Sequence, residues 1–455
     1  MISRVFIFLI SLAAAIVTFT WELTMYEVAS VFLFFYFLLS LIDSIGKSYD
    51  LLTVPILLLI FECLIMPSVV YNVYNDDSLI AALRYNMAVP KEDYFSFVFP
   101  GTVAMILGMR IPLLTRESQT AKIRKAVNAC REYLRGKGNL GILLIIIGSV
   151  SGILEVFTPS ELKYVLYLFG RLIIVGVFYI FYSDFKDRKL YVIGAILFIF
   201  AQSLAAGMFG DLVYTFLLGG MLIALGIKIK GYQKYLFATV GFVLILLIQS
   251  VKSDYRAVTW TGEEDQQNTK AFLTLIADRL ATPSRFFDLD MMFPIVNRFN
   301  QGMIVAKVID YVPRFAPFAD GETIYGSIAS TFVPRILWPN KPMAGGHYNM
   351  RRFTGFEIVG YSMNTGVIGE AYGNFGRNGG IFFMFLYGLF FNVIFYIIVT
   401  KSNQTPTLIL WIPFIYLNAI QAESDTLMTI NSTIKNILFL WFCYWAADRF
   451  LRLKL

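Results

Sequence analysis

Apolar runs of bilayer length recur along the whole chain, and no other feature restricts its fold so strongly. Stretches with few charges lie near 5–20, 28–42, 51–70, 94–113, 139–156, 163–182, 190–208, 211–227, 235–251, 379–400, 407–421 and 433–448. A membrane helix needs about 20 mostly apolar residues. In lipid the backbone must satisfy its own N–H and C=O groups, and a single segment does so only as a helix. The sequence therefore predicts an all-α polytopic membrane protein with about twelve transmembrane helices. Composition agrees: the chain is 57% hydrophobic and 15% charged, with mean hydropathy +0.66, against about 25% charged in soluble domains. The first run follows Arg4 and continues past Ala13, Ala14 and Ala15 to Phe19, so it reads as an uncleaved anchor and not as a signal peptide.

Basic residues orient the spans, because cytoplasmic loops collect Lys and Arg. With the N-terminus in the cytoplasm, the inside loops hold Lys122, Arg124, Lys125, Arg131 and Arg135, then Lys186, Arg188 and Lys189, then Lys228, Lys230 and Lys234, and the tail Arg449, Arg452 and Lys454. The expected topology is N-in/C-in. The formal charge of +7 is thus a topology signal, and no nucleic-acid partner is expected. Three regions follow: helices 1–9 over 1–251, a large extracytoplasmic loop over 252–378, and helices 10–12 with a cytoplasmic tail over 379–455. Within the loop, Phe272, Leu273, Ile276 and Leu280 recur at helical spacing, and 291–312 reads similarly. These segments predict amphipathic helices against the outer membrane face.

Candidate chemistry concentrates in 324–380. Pro334 and Pro339 fix the backbone around Arg335 and Trp338, which suits Arg335 to aim a guanidinium at a diphosphate; a membrane-surface turn with Trp338 as anchor fits the same residues. Lys341, Arg351 and Arg352 are the other candidate diphosphate ligands. Glu370 is the one acid in a run rich in glycine and aromatics, 366–376, where burial would suit it to general-base work; pairing with Arg377 is the structural alternative. His347, the one histidine of the chain, is the second candidate base. Trp338, Tyr348, Asn364 and Tyr372 are candidate sugar contacts. No metal and no cofactor is expected, Asp288 and Asp290 being the one Asp-x-Asp pair in the loop. The three cysteines, Cys63, Cys130 and Cys443, fall in spans or inside, so no disulfide is expected in the outer loop. In the spans, Glu62 and Arg171 are the deepest charges, read as a buried pair or as the lining of a cavity. Gly148-x-x-x-Gly152 reads as a helix-packing motif.

The Pro-Arg-x-Leu-Trp-Pro-x-Lys-Pro pattern at 334–342 and the Gly-Glu-x-Tyr-x-Asn-Phe-Gly pattern at 369–376 resemble those of the Wzy-type polymerases of O-antigen and capsule repeat units. That family's Arg-x10-Gly spacing is matched by Arg335 and Gly346. The resemblance implies a GT-C-like glycosyltransferase, inverting and metal-independent, in the bacterial cytoplasmic membrane with its active site facing outward. It would move a growing glycan from undecaprenyl diphosphate onto a lipid-linked repeat unit. Its implied partners are those lipid-linked oligosaccharides, membrane lipids, and the chain-length regulator and flippase of the same pathway. A lipid-linked oligosaccharide flippase or transporter and an O-antigen ligase are the competing readings.

Overall fold

In the computed structural model the described residues are 4–19, 23–74, 87–113, 116–206, 210–260, 268–281, 289–333, 337–450 and 452. Among them the secondary structure is helical, with no strand. In chain order the helices are α1 (Arg4–Phe19), α2 (Met25–Ser44), α3 (Thr53–Val73), α4 (Lys91–Arg110), α5 (Arg116–Leu134), α6 (Gly138–Val156), α7 (Ser160–Gly170), α8 (Leu172–Tyr182), α9 (Arg188–Ala206), α10 (Gly210–Ala224), α11 (Gly231–Trp260), α12 (Asn268–Ala281), α13 (Leu289–Phe299), α14 (Gly302–Tyr311), α15 (Glu322–Phe332), α16 (His347–Thr354), α17 (Gly366–Lys401), α18 (Ile412–Tyr416) and α19 (Ser432–Phe450). Six spans among the described residues are long and apolar enough to cross a membrane: α2, α3, 138–155, 162–182, 231–248 and α17. The protein is a helical membrane protein.

The expected run at 407–421 is not one continuous helix. Pro406 opens a 3-10 turn, Pro406–Trp411, and α18 carries the chain only to Tyr416. Ile409 to Leu417 is buried throughout, so this stretch is apolar because it lies inside the protein. A second difference is the basic segment 116–137, read from sequence as a loop. It forms α5, an amphipathic helix whose Ile123, Ala126, Val127, Cys130 and Leu134 are buried while Arg124, Lys125, Arg131 and Arg135 face outward. The expected helices of the large loop are present as α12, α13 and α14, and Leu275 and Ile276 of α12 pack on Val251 and Tyr255 of α11.

Small residues set the closest helix contacts, as in membrane bundles generally. A Cβ on Gly108 of α4 would lie 2.7 Å from Leu389 N of α17, and one on Gly388 of α17 would lie 3.0 Å from Met109 N. The same device joins α6 to the following pair: a Cβ on Gly148 would lie 2.7 Å from Ile173 N, and Gly152 sits against Gly170. Gly148 and Gly152 thus serve helix packing, as their spacing predicts.

At the start of α2, Thr24 and Glu27 form a capping box. Glu27 is buried and also accepts from Ser68 Oγ (2.7 Å) and Asn72 Nδ2 (2.6 Å), with Lys91 Nζ at 3.2 Å. One carboxylate therefore ties α2, α3 and α4 together at one end of the bundle.

Candidate functional site

Helix α17 breaks at Gly376 (φ 65°, ψ −163°), a combination that in practice only glycine adopts. A Cβ here would also press on the Phe318 ring at 3.1 Å. The break separates 366–375, which carries Glu370 and Asn374, from the long apolar segment that continues to Lys401. It turns a polar face inward toward α15 and the 418–431 segment.

Glu370 is fully buried, and the donors around it suit a carboxylate. Thr323 Oγ1 of α15 donates to Oε1 (2.6 Å), Thr426 N donates to Oε2 (2.7 Å), and Thr426 Oγ1 donates to Oε1 (2.8 Å). Asn374, one turn on, donates to Thr323 Oγ1 and to Glu370 O, both at 2.8 Å, and accepts from Gly321 N at 3.1 Å. The charged group that bears on Glu370 is a second buried acid, Asp425. Asp425 accepts from Asn349 Nδ2 (3.1 Å) and Met428 N (2.9 Å). Loss of hydration raises the Asp425 carboxyl to about 6, against the pull of these donors. Two carboxylates, two threonines and two asparagines from four segments thus form one polar knot.

Beyond the knot opens a cavity of about 1130 Å³, slightly above the usual size of ligand sites. Ser327 and Ser330 connect the two: Asn431 Nδ2 donates to Ser327 O (3.0 Å) and to Ser330 Oγ, and both Ser330 and Asn431 line the cavity. Much of its wall is apolar, from Leu162, Val165, Met343, Leu427 and Met428. Three lysines stand in that wall, each from a different segment: Lys163 of α7, Lys341 of the 337–346 turn and Lys435 of α19. Lys435 Nζ lies over the Tyr164 ring at 4.8 Å, and Lys341 Nζ donates to Val333 O at 2.9 Å. One acid, Glu155, shares the wall and faces Lys163, so the wall carries an excess of cations; with its apolar part it fits an amphiphile with an anionic head.

The residues singled out from sequence divide into three groups. Arg335 and Pro334 lie outside the described residues, as do Asp288 and the side chain of Asp290. Lys341 lies in the cavity wall with Pro339 and Pro342, so the second half of the 334–342 pattern borders the cavity. The rest are elsewhere. His347 is exposed at the start of α16, with Nδ1 3.0 Å from Ile358 O. Tyr348 donates its hydroxyl to Glu322 Oε1. Arg351 is exposed beside Glu357 (3.6 Å), and Arg352 donates to Pro317 O (3.0 Å). Trp338 is half-buried; its carbonyl accepts from Lys341 N at 3.0 Å in a turn. Tyr372 packs edge-on against Phe97 (4.9 Å) and Phe318 (6.1 Å), which gives it a core role. Asn364 O accepts from Gln301 Nε2 at 2.8 Å, and its buried Oδ1 is without a hydrogen bond. Gly346 has φ 76°, and its α-carbon faces Asn364 and Met363, so its place in the Arg-x10-Gly spacing coincides with a backbone requirement.

Two pairings expected from sequence are not formed. Glu370 is held by threonines, and Arg377 lies exposed beyond the Gly376 break. Glu62 and Arg171 are not partners: Arg171 sits over the Tyr167 ring at 4.2 Å, whereas the charges facing Glu62 are Glu423 and Arg298, themselves bridged at 2.8 Å. Glu62 lies in a π-helical turn, Phe61–Ile65. Asp425, Thr323, Thr426, Lys163 and Lys435 escaped sequence reasoning; of the three lysines only Lys341 had been singled out. The one available signal was the polar run Glu423-Ser424-Asp425-Thr426 between two apolar stretches.

Residues 98–400 match the family described as Domain of unknown function (DUF8712). The chain belongs to that family. The DUF8712 match begins within α4 and ends in α17, and so takes in the Gly108–Gly388 helix contact and Glu370 while leaving Asp425 and Lys435 beyond it. No curated protein and no solved structure matches the chain.

Proposed function

We propose that this protein is a polysaccharide polymerase that acts on undecaprenyl-diphosphate-linked oligosaccharides at the outer face of the bacterial cytoplasmic membrane. In this reading the chain runs N-in/C-in in a GT-C-like arrangement of about twelve crossings, one of them the broken 406–416 stretch held among the other helices. The observation that carries the reading is the cavity: an apolar wall, three lysines from three segments, and a hydroxyl- and amide-lined side backed by the Glu370–Asp425 knot. A polyprenyl diphosphate has the same division between a long apolar chain and a polyanionic head. In the transfer, an acceptor hydroxyl attacks the anomeric carbon of the growing glycan. The bond to the diphosphate breaks and its electron pair stays on the diphosphate, whose growing charge Lys163, Lys341 and Lys435 offset. The hydroxyl proton passes to a base. Glu370 does not line the cavity, and both its oxygens are engaged. Its role here is therefore to position α15 and the 426–431 segment, in place of the general-base role its sequence context suggested. Arg335 keeps its proposed role as a diphosphate ligand on its sequence position beside the wall residues.

The deciding experiment is to extract the lipid-linked glycans of a strain lacking the gene. Accumulation of single repeat units on the outer face is expected, with restoration of long chains by the native protein but not by a Lys163→Ala/Lys435→Ala variant of equal abundance. Accumulation of finished polymer would identify a ligase, and units trapped at the cytoplasmic face a flippase; either result overturns the proposal.

A further inference from the structure

A second cavity, of about 320 Å³, lies at the other end of the bundle. The segment from the Gly376 break to Tyr396 rises by ~30 Å at 1.5 Å per residue, about the thickness of the hydrocarbon core. Tyr396 lines this second cavity, whereas the Glu370 knot precedes the break. The two cavities therefore belong to opposite membrane surfaces. The second one is closed on one side by Gln119, Thr120 and Ile123 of the amphipathic α5, and on the other by the ends of α2, α4 and α17.

Its wall has two halves. Phe37, Leu52, Met109, Phe395 and Val399 are apolar, and Ser40, Ser48, Gln119 and Thr120 are polar. At their meeting point stand two opposite charges. Arg110 Nη1 is 3.1 Å from Asp50 Oδ1, its Nη2 also bonds Thr53 Oγ1, and its Cζ lies 5.4 Å from the centre of the Phe37 ring. The Arg110 side chain is 36% exposed and Asp50 15%. A guanidinium holds five N–H donors in a planar fork, so those two contacts leave capacity for a phosphate. The neighbouring carboxylate would repel a purely anionic head and attract an ammonium. We propose that this cavity binds one phosphatidylethanolamine molecule, with the phosphate on Arg110, the ammonium on Asp50, and the first methylenes of an acyl chain along Phe37, Phe395 and Val399. Since α5 supplies one wall, a bound lipid fastens this cationic helix to the spans. The assignment does not depend on the polymerase reading.

The test uses the full chain, purified in mild detergent and examined by native mass spectrometry with added phosphatidylethanolamine, phosphatidylglycerol or phosphatidylcholine. The expected result is a one-to-one phosphatidylethanolamine complex at least tenfold more populated than either of the others. Arg110→Gln should abolish that preference. Because Arg110 also holds Asp50 and Thr53, a second variant, Thr120→Trp, fills the cavity from α5 and leaves the ion pair untouched; it should lose the complex while unfolding at the native temperature. Equal retention of all three lipids, or retention unchanged in Thr120→Trp, overturns the proposal. Glycerophosphoethanolamine without acyl chains is the last arm: if it competes as well as the whole lipid, the site reads a free headgroup, and the lipid assignment fails.

Discussion

The Thr323–Glu370 contact offers a measurable test of whether the polar knot is held by charge or only by shape. Thr323→Val keeps the side-chain volume and removes the hydroxyl that donates to Oε1 at 2.6 Å. A hydrogen bond to a charged group contributes about 1.5–3 kcal/mol. Thr426 Oγ1 still reaches Oε1 at 2.8 Å, but Asn374 Nδ2 also loses its acceptor on Thr323 Oγ1 and keeps only its bond to Glu370 O, so the loss falls near the upper end, about 2–3 kcal/mol. Glu370→Gln can keep its oxygen on the N–H of Thr426, but its NH₂ then faces the Thr323 and Thr426 hydroxyls, which must turn from donors into acceptors; charge-assisted bonds are replaced by neutral ones, at about 1–3 kcal/mol. Charge-assisted bonds are roughly twice as strong as neutral ones, so part of the Thr323 contribution disappears already in Glu370→Gln. The double variant should therefore fall short of additivity by about 1 kcal/mol, within the range seen for residues in one network. The assay is reversible unfolding in mixed detergent micelles followed by tryptophan fluorescence, for the native chain, both single variants and the double. Strict additivity, or a Thr323→Val loss of only a few tenths of a kcal/mol, would refute a carboxylate held by these donors.

Three further outcomes are expected. Folding raises Asp425 from its ordinary 3.8 to about 6, so the folded form holds that proton more tightly; the stability this group contributes is complete below about 4 and is lost as pH rises through about 6. Asp425→Asn should flatten that part of the stability-against-pH curve, and an unchanged curve would count against it. Gly388→Leu drives a side chain into the backbone of α4 near Met109 and should lower stability by about 1–3 kcal/mol or more, read as loss of monodisperse protein on size exclusion; a fully stable variant would mean the helices are farther apart. Cys130 is buried, and its thiol is pushed up to about 12, so maleimide should label it only after denaturation, as peptide mapping will show.

The sequence made the helical character legible because apolar runs of bilayer length admit one backbone solution. It also exposed Gly148 and Gly152, whose spacing puts both on one helical face. It exposed Glu370 as well, an acid isolated among glycines and aromatics. What it could not expose was pairing between distant segments. Glu370 meets Thr426 and Asp425, 55 or more residues on, and Glu62 faces Glu423 where Arg171 had been the expected partner. An acid's partner is fixed by how helices are ordered in the bundle, and local periodicity carries no trace of that order. Two of the lysines were hidden for a related reason: Lys163 and Lys435 are ordinary helix-end cations until their segments converge on Lys341, which its proline-rich pattern had already marked. The stretch at 407–421 misled because hydropathy measures avoidance of water and does not distinguish lipid from protein interior.

That short, doubly broken stretch bears on how the chain is made. A continuous helix of about 20 residues can enter a bilayer by itself, whereas Pro406–Trp411 and Ile412–Tyr416 are too brief, and their surroundings are the neighbouring helices. The ribosome delivers this piece after α17, when most of its future neighbours have already been synthesised. It should settle only once they have gathered, so assembly of the site containing Asp425, Thr426 and Lys435 is among the last events in biogenesis. A chain arrested before α19 would then hold helices in the membrane but no finished cavity.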